Sequence, residues 1–304
     1  MLQPNWIFTH DHFMKPCYRV SPFSTTDIAL NSQLPCSNYI DAWFDENFPA
    51  YNPFWTLKAR DGITLALESL KLTPQSVVTI ITSSQNKYIS GCVTKEIEKN
   101  CDWNREVTDD TCAILLIHEF GKKIKNSERY YQLNLPIIED FAHGFLMRPP
   151  ITHQADFVIY SFPKYFPIQY GGILLTKNKL HSDYKMESET LDYIKKVLSS
   201  HIAHIDEYRQ ERLSNQKYLS ERFLELGCSN HFSWQDNETP SVFMFAPPKG
   251  VDLIALKEFM QQQGIESSVF YGEHAFFIPI HHRLKTVDLD YFITAYSNFL
   301  IARE

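Results

Sequence analysis

From about residue 61 to 176 the chain alternates short apolar runs with polar stretches of helical period. Residues 135–139 (LPIIE), 156–161 (DFVIYS) and 171–176 (GGILLT) are the densest runs. They are short, rich in β-branched side chains and bounded by turn residues, which predicts three buried strands. Residues 77–82 (VVTIIT) and 112–117 (CAILLI) predict two more, and 91–99 a helix between them. A helix is also expected after Asp61, capped by that residue, with Leu65, Leu67 and Leu70 on its apolar face. Helix and strand at this spacing argue for an α/β fold with a mostly parallel central sheet covered by helices on both faces.

Beyond residue 176 the pattern changes. Residues 191–226 read as one long, heavily charged helix ended by Gly227. Strands are expected at 241–246, 265–270 and 276–280, and helices at 253–263 and 287–301. That is a smaller C-terminal α+β domain. Residues 1–38 hold Pro4, Pro16, Pro22 and Pro35 and little periodicity, which predicts an irregular arm lying on the surface or on a partner subunit. The domain reading is an arm at 1–38, a large cofactor-binding domain at 39–185 and a small domain at 186–304.

Composition narrows the function classes. A net charge of −7, with no dense Lys/Arg run, argues against a nucleic-acid partner. No apolar run is long enough to span a membrane, and the first residues lack a signal-peptide pattern. Six scattered cysteines without a C-x-x-C pair suit reduced thiols, so a cytoplasmic protein with no metal site is expected.

Candidate chemistry collects around the three central strands. Asp140 closes the first and Lys164 sits in the link between the other two, so both are expected at one sheet edge, where open α/β sheets hold ligands. The surrounding residues resemble a known family. Pro136-Ile137-Ile138-Glu139-Asp140-Phe141-Ala142-His143-Gly144 is similar to the P-V-I-E-D-A-A-(Q/H) stretch of the DegT/DnrJ/EryC1/StrS sugar aminotransferases. Ser161-Phe162, Lys164 and Gly171-Gly172 resemble that family's S-F-x-x-x-K … G-G loop, and Ile117-His118-Glu119-Phe120-Gly121 its V-H-L-Y-G. Residues 278–284 resemble its L-P-L-H-P-x-L signature.

The resemblance implies the fold of pyridoxal-phosphate (PLP) enzymes of the aspartate aminotransferase type. It makes Lys164 the Schiff-base lysine, Asp140 the partner of the ring nitrogen, His143 a neighbour of the phenolic oxygen and Ser161 a phosphate ligand. Gly62, Ile63 and Thr64 stand at its S-G-T phosphate turn, where amides at a helix start suit an anion. Tyr88 is the candidate to stack on the pyridine ring. The implied reaction is amino transfer to a nucleotide-linked keto-sugar, with an amino acid such as glutamate as donor, in a homodimer. Trp43, Phe44, Phe54 and Trp55 are candidates for its interface, or for packing under the first helix. Two alternatives are a PLP enzyme of another reaction type, such as a sugar dehydrase, and a degenerate homologue that binds a ligand or partner without catalysis. Lys164 speaks against the dehydrase, which typically carries His there. Ile63 in place of Thr, and the short link between residues 270 and 276 where the family has a substrate loop, speak for the degenerate reading.

Overall fold

The computed structural model describes residues 17–147 and 154–302. The first part of the expected arm and residues 148–153 lie outside these residues. The larger sheet is built from β1 (Asn52–Thr56), β2 (Val77–Thr82), β3 (Asp102–Asn104), β4 (Thr111–Ile117), β5 (Ile137–Phe141), β6 (Phe157–Ser161) and β7 (Gly172–Thr176). Its strand order is β1-β7-β6-β5-β4-β2-β3. Strands β2 to β6 run parallel, and β7 is antiparallel to both its neighbours.

The continuous apolar runs follow from burial on both faces. In β4, Ile114 and Leu116 join one core with Ile137, Val158 and Ile173, whereas Ala113 and Leu115 join the opposite core with Ile138, Ile159 and Leu174. The period of two thus divides each run between two helical layers. Helix α2 (Tyr39–Asn47) covers the first core, and α3 (Ala59–Ser69) and α4 (Gly91–Ile97) cover the second. A Cβ on Gly62 would meet Ile159 and Leu174 at 3.4–3.5 Å, so α3 rests closely on the sheet there.

The second sheet holds β8 (Ser229–Asn230), β9 (Val242–Ala246), β10 (Ser268–Val269) and β11 (Phe276–Pro279), in the order β10-β11-β9-β8 and antiparallel throughout. Phe243, Phe245, Phe276 and Ile278 pack under α7 (Ile205–Glu225), α8 (Leu253–Gln262) and α9 (Thr286–Ile301). Val242 and Met244 face the other way, with Phe120 and Phe277 beside them.

Several sequence expectations are corrected. The stretch read as one helix over 191–226 is two, α6 (Ser188–His201) and α7, joined by a 3-10 turn at Ile202–His204. Gly227, at φ +77°, ends α7 as expected. The described part of the arm includes a helix, α1 (Thr26–Ser32), and lies on its own chain. Tyr18 bridges Ile265, Ser21 donates to the carbonyl of Pro163 (2.6 Å), and Asn31 donates to that of Pro167 (2.7 Å). The aromatic group around Trp43 packs within the chain: Phe44 contacts the rings of Trp55, Phe145 and Phe162, and Trp43 that of Phe145.

Candidate active site

A cavity of about 650 Å³ opens at the C-terminal ends of the parallel strands. Thr82, Ile117, Asp140 and Ser161 mark the ends of β2, β4, β5 and β6 in its wall. Open α/β sheets hold ligands at this edge because the loops diverge there. Of the residues singled out from the sequence, Ile63, Tyr88, Asp140, His143, Ser161 and Lys164 line this cavity.

Asp140 and Glu139 are neighbours in β5 and so point to opposite faces. Glu139 lies in the interior with His118 (3.3 Å) and Tyr131 (2.7 Å). Asp140 faces the cavity and accepts the amide hydrogen of Ala142 at 2.8 Å. Burial raises its pKa, against the opposing pull of that amide, His118 and Lys164. Lys164 closes a 3-10 turn (Phe162–Lys164) after β6. Burial lowers its amine's pKa, against the carboxylates of Glu266 and Asp140 and the thiol of Cys92. The cavity thus disfavours the charged form of both groups, which brings a carboxylate and an amine towards neutrality.

His143 follows β5 and shares a 2.7 Å hydrogen bond between Nδ1 and Ser241 Oγ. Burial first, then Lys164 and Arg212, hold its pKa well below the ordinary value, so it is neutral. Phe120 packs against it at 5.1 Å. That ring reaches the cavity because Phe120 (φ +53°) and Gly121 (φ +88°) both turn left-handed. A Cβ on Gly121 would stand 2.0 Å from the Thr239 carbonyl, so glycine is obligatory there.

The helix start differs from expectation. Asp61 is not the cap. Lys58 is, and the Asp61 carboxylate accepts its amide hydrogen at 3.0 Å from the third helical position. The first-turn amides left facing the cavity are therefore those of Ala59 and Arg60, one turn before Gly62-Ile63-Thr64. Lys58, Ala59 and Arg60 line the cavity, whereas Gly62 packs on the sheet and Thr64 donates to Glu96 at 2.8 Å in a separate hollow. A Cβ on Gly172 would lie 2.7 Å from the Ala59 nitrogen, so this glycine lets the helix start press against β7. Backbone amides of this kind favour an anion, and Lys58 and Arg60 add positive charge.

The opposite wall comes from the second sheet. Phe270, Tyr271 and Phe277 face Phe120 and Tyr88, with Tyr88 and Tyr271 at 5.4 Å between ring centroids. The loop between β10 and β11 is held to the large sheet by Asn86, which donates to the Tyr271 carbonyl at 2.6 Å. Gly272, at φ +90°, would drive a Cβ to 2.2 Å from Asn86 Oδ1. Sequence reading missed Lys58, Arg60, Ser241, Phe270 and Arg212. Only the first two carried a signal, since an acidic residue at the third helical position marks a helix start as well as one at the cap.

No protein-family model matches the chain, and no curated protein sequence matches it. Solved structures do. Aminotransferase TlmJ from Streptoalloteichus hindustanus superposes with a TM-score of 0.74 at 12% identity, over 94% of this chain and 99% of that one. A DegT DnrJ EryC1 StrS aminotransferase from Brucella abortus gives 0.68 at 12%, over 90% and 93%. A protein of Streptococcus pneumoniae described as a sugar aminotransferase, in its PLP form, gives 0.67 at 12%, over 96% and 100%. The class defined here is the PLP-transferase-like fold, a mostly parallel sheet with a smaller antiparallel one. Within that class, the chain has the fold of the DegT/DnrJ/EryC1/StrS-type sugar aminotransferases.

Proposed function

We propose that the protein is a PLP-dependent aminotransferase acting on a keto-sugar, nucleotide-linked as in the resemblance, with an amino acid as donor. The observation that carries this reading is the convergence of Lys164, Asp140 and His143 on one cavity that also receives the start of α3. The donor set fits the cofactor: an amine for its aldehyde, a carboxylate for its ring nitrogen, a neutral imidazole for its phenolic oxygen, and helix amides with Lys58 and Arg60 for its phosphate. Ser161 and Tyr88 line the same cavity and complete the set, as phosphate ligand and ring neighbour. Gly62 and Thr64 are replaced in this reading by Ala59 and Arg60.

When bound, PLP supplies an electron sink for a carbanion at the substrate carbon. Lys164 Nζ would hold the cofactor through its aldehyde and would move the proton to and from the substrate carbon, a task suited to an amine whose charge burial disfavours. Asp140 would face the ring nitrogen and favour its protonated form. With Nδ1 held by Ser241, His143 would offer Nε2 to the phenolic oxygen. The aromatic wall of Phe120, Phe270 and Phe277 excludes water from the reacting face.

A second reading, a homologue that binds a ligand without catalysis, is favoured by two features: Lys58-Ala59-Arg60 at the helix start, and the short loop between β10 and β11. Adding PLP and reducing with borohydride separates the two. The enzyme reading expects a yellow protein with the cofactor fixed on the Lys164 peptide; a colourless protein with no adduct leaves the second. The homodimer and the cytoplasmic location belong to the same proposal. Exposed Ile28 and Leu30 on α1 leave apolar surface for a partner, and light scattering decides the assembly. Among the described residues no helix is long and apolar enough to cross a membrane.

A further inference from the structure

Arg212 heads the largest fully buried side chains among the described residues. It stands on α7, where charged side chains such as Glu207, Glu211, Glu221 and Arg222 are exposed. It has no carboxylate partner among the described residues, and its Nε has no hydrogen-bond partner. Burying a guanidinium away from any carboxylate is costly unless hydrogen bonds compensate for the lost water. A core position of this size filled by Leu or Met would avoid that cost, so the side chain's contacts are what set it apart.

Those contacts are specific. Nη2 donates to the carbonyl of Lys164 at 2.7 Å and Nη1 to the carbonyl of Ser241 at 3.0 Å. Ser241 in turn holds His143 Nδ1 through its hydroxyl and donates its amide to the Phe120 carbonyl at 2.9 Å. The guanidinium carbon sits 4.8 Å from the centre of the Tyr165 ring, the residue after Lys164. One rigid planar fork therefore joins the turn that carries the amine to the strand start that orients the imidazole. The two carbonyls come from opposite sheets, so no single strand or loop fixes their separation.

We propose that Arg212 is a positioning residue, whose two-pronged donation to Lys164 and Ser241 sets the Lys164 amine and the His143 ring in register across the cavity. This rests on the reading of Lys164 and His143 as the cofactor's partners, but its test needs no cofactor. A guanidinium can hold two carbonyls at once because its donors are fixed in a plane, whereas an ammonium is a point donor. Lysine is therefore a disruptive substitution here despite its charge.

The experiment uses the full chain without added PLP. Lys164 is labelled with an amine-reactive reagent across pH and read by peptide mass spectrometry, and the His143 tautomer is read by nitrogen NMR. The groups facing Lys164 are Asp140 on β5, His143 after it, Cys92 on α4 and Glu266 ahead of β10; those facing His143 are Lys164 and Arg212. In Arg212→Gln the loosened amine gains water, and its labelling midpoint rises by about one pH unit towards the ordinary lysine value. His143 then loses its single tautomer. Ser241→Ala releases His143 alone and leaves the Lys164 midpoint in place. A lowered melting temperature with wild-type midpoint and tautomer would reduce Arg212 to a core residue and overturn the proposal. If Arg212→Gln does not fold, Arg212→Lys decides by the same two readouts: a shifted midpoint supports the proposal and wild-type behaviour sinks it. Failure of the functional reading is separate, because it shows as a wild-type protein that fixes no PLP whatever the variants do.

Discussion

The floor and the rim of the cavity are built on different principles. The floor sets Asp140 and Ser161 at the ends of the paired parallel strands β5 and β6, with Lys164 in the single turn that directly follows β6. The rim, with Lys58, Arg60, Tyr88 and Tyr271, is made of a helix start and two loops. The floor keeps the residue types of the resembled family, whereas the rim departs from them. Backbone ladders fix distances regardless of loop sequence, so reacting groups belong on them, and loops are free to vary with the ligand.

Predictions that break or sharpen this contrast can be ranked by effect. Lys164→Ala should abolish borohydride-fixed cofactor and lower turnover by about 10³-fold or more, as expected for loss of both nucleophile and proton carrier. Retained fixation, located elsewhere by mass spectrometry, would remove the floor from the chemistry.

Asp140→Asn should lower turnover by about 10²-fold, the scale of losing one preorganised charge partner. It should also raise the melting temperature at pH 7 by roughly 2 °C. The sign follows from the raised carboxyl pKa. Stability is highest where Asp140 is protonated in both states, below its unfolded value of about 3.9, and is lost as pH rises through the folded value. The variant's advantage over wild type is therefore present at neutral pH and vanishes in acid. Calorimetry at pH 7 and at roughly pH 3, below the unfolded value, tests this, and a variant less stable at both would make Asp140 a structural cap.

The rim should respond more weakly. Replacing Lys58 and Arg60 together by Ala should weaken PLP binding by about tenfold, the loss of roughly one charge-assisted hydrogen bond, and should flatten its salt dependence. Unchanged affinity in an absorbance titration would mean that the amides alone hold the anion, or that it sits elsewhere. Smallest of all, Tyr271→Ala removes a half-exposed ring pair with Tyr88. It should cost about 0.5–1 kcal/mol, measured by urea denaturation, and alter the substrate KM more than turnover.

The same contrast governs how much could be read from the sequence. Strand β2 falls at residues 77–82 as expected, and β5, β6 and β7 within two residues, because runs buried on both faces leave a strong signal. Edge strands β1 and β3 gave none. The first, NPFWT, pairs with β7 more than a hundred residues later, so only tertiary context makes it a strand. The helix start was displaced by one turn because aspartate serves both at the cap and at the third position. Thr64 looked like a hydroxyl beside a glycine turn, yet its partner Glu96 comes from α4. Arg212 was illegible for another reason: nothing in a charge-rich helix tells which charged residue turns inward.

The Asn86–Tyr271 hydrogen bond and the left-handed Gly272 have a joint consequence. They fasten the second sheet's hairpin to the first sheet's loop at the mouth of the cavity. Separating the two sheets there would require breaking a hydrogen bond and unpacking a glycine for which no other residue leaves room. One side of the entrance is therefore tied across the two sheets by a main-chain carbonyl, so a side chain added at Gly272 would disturb the loops of both sheets at once.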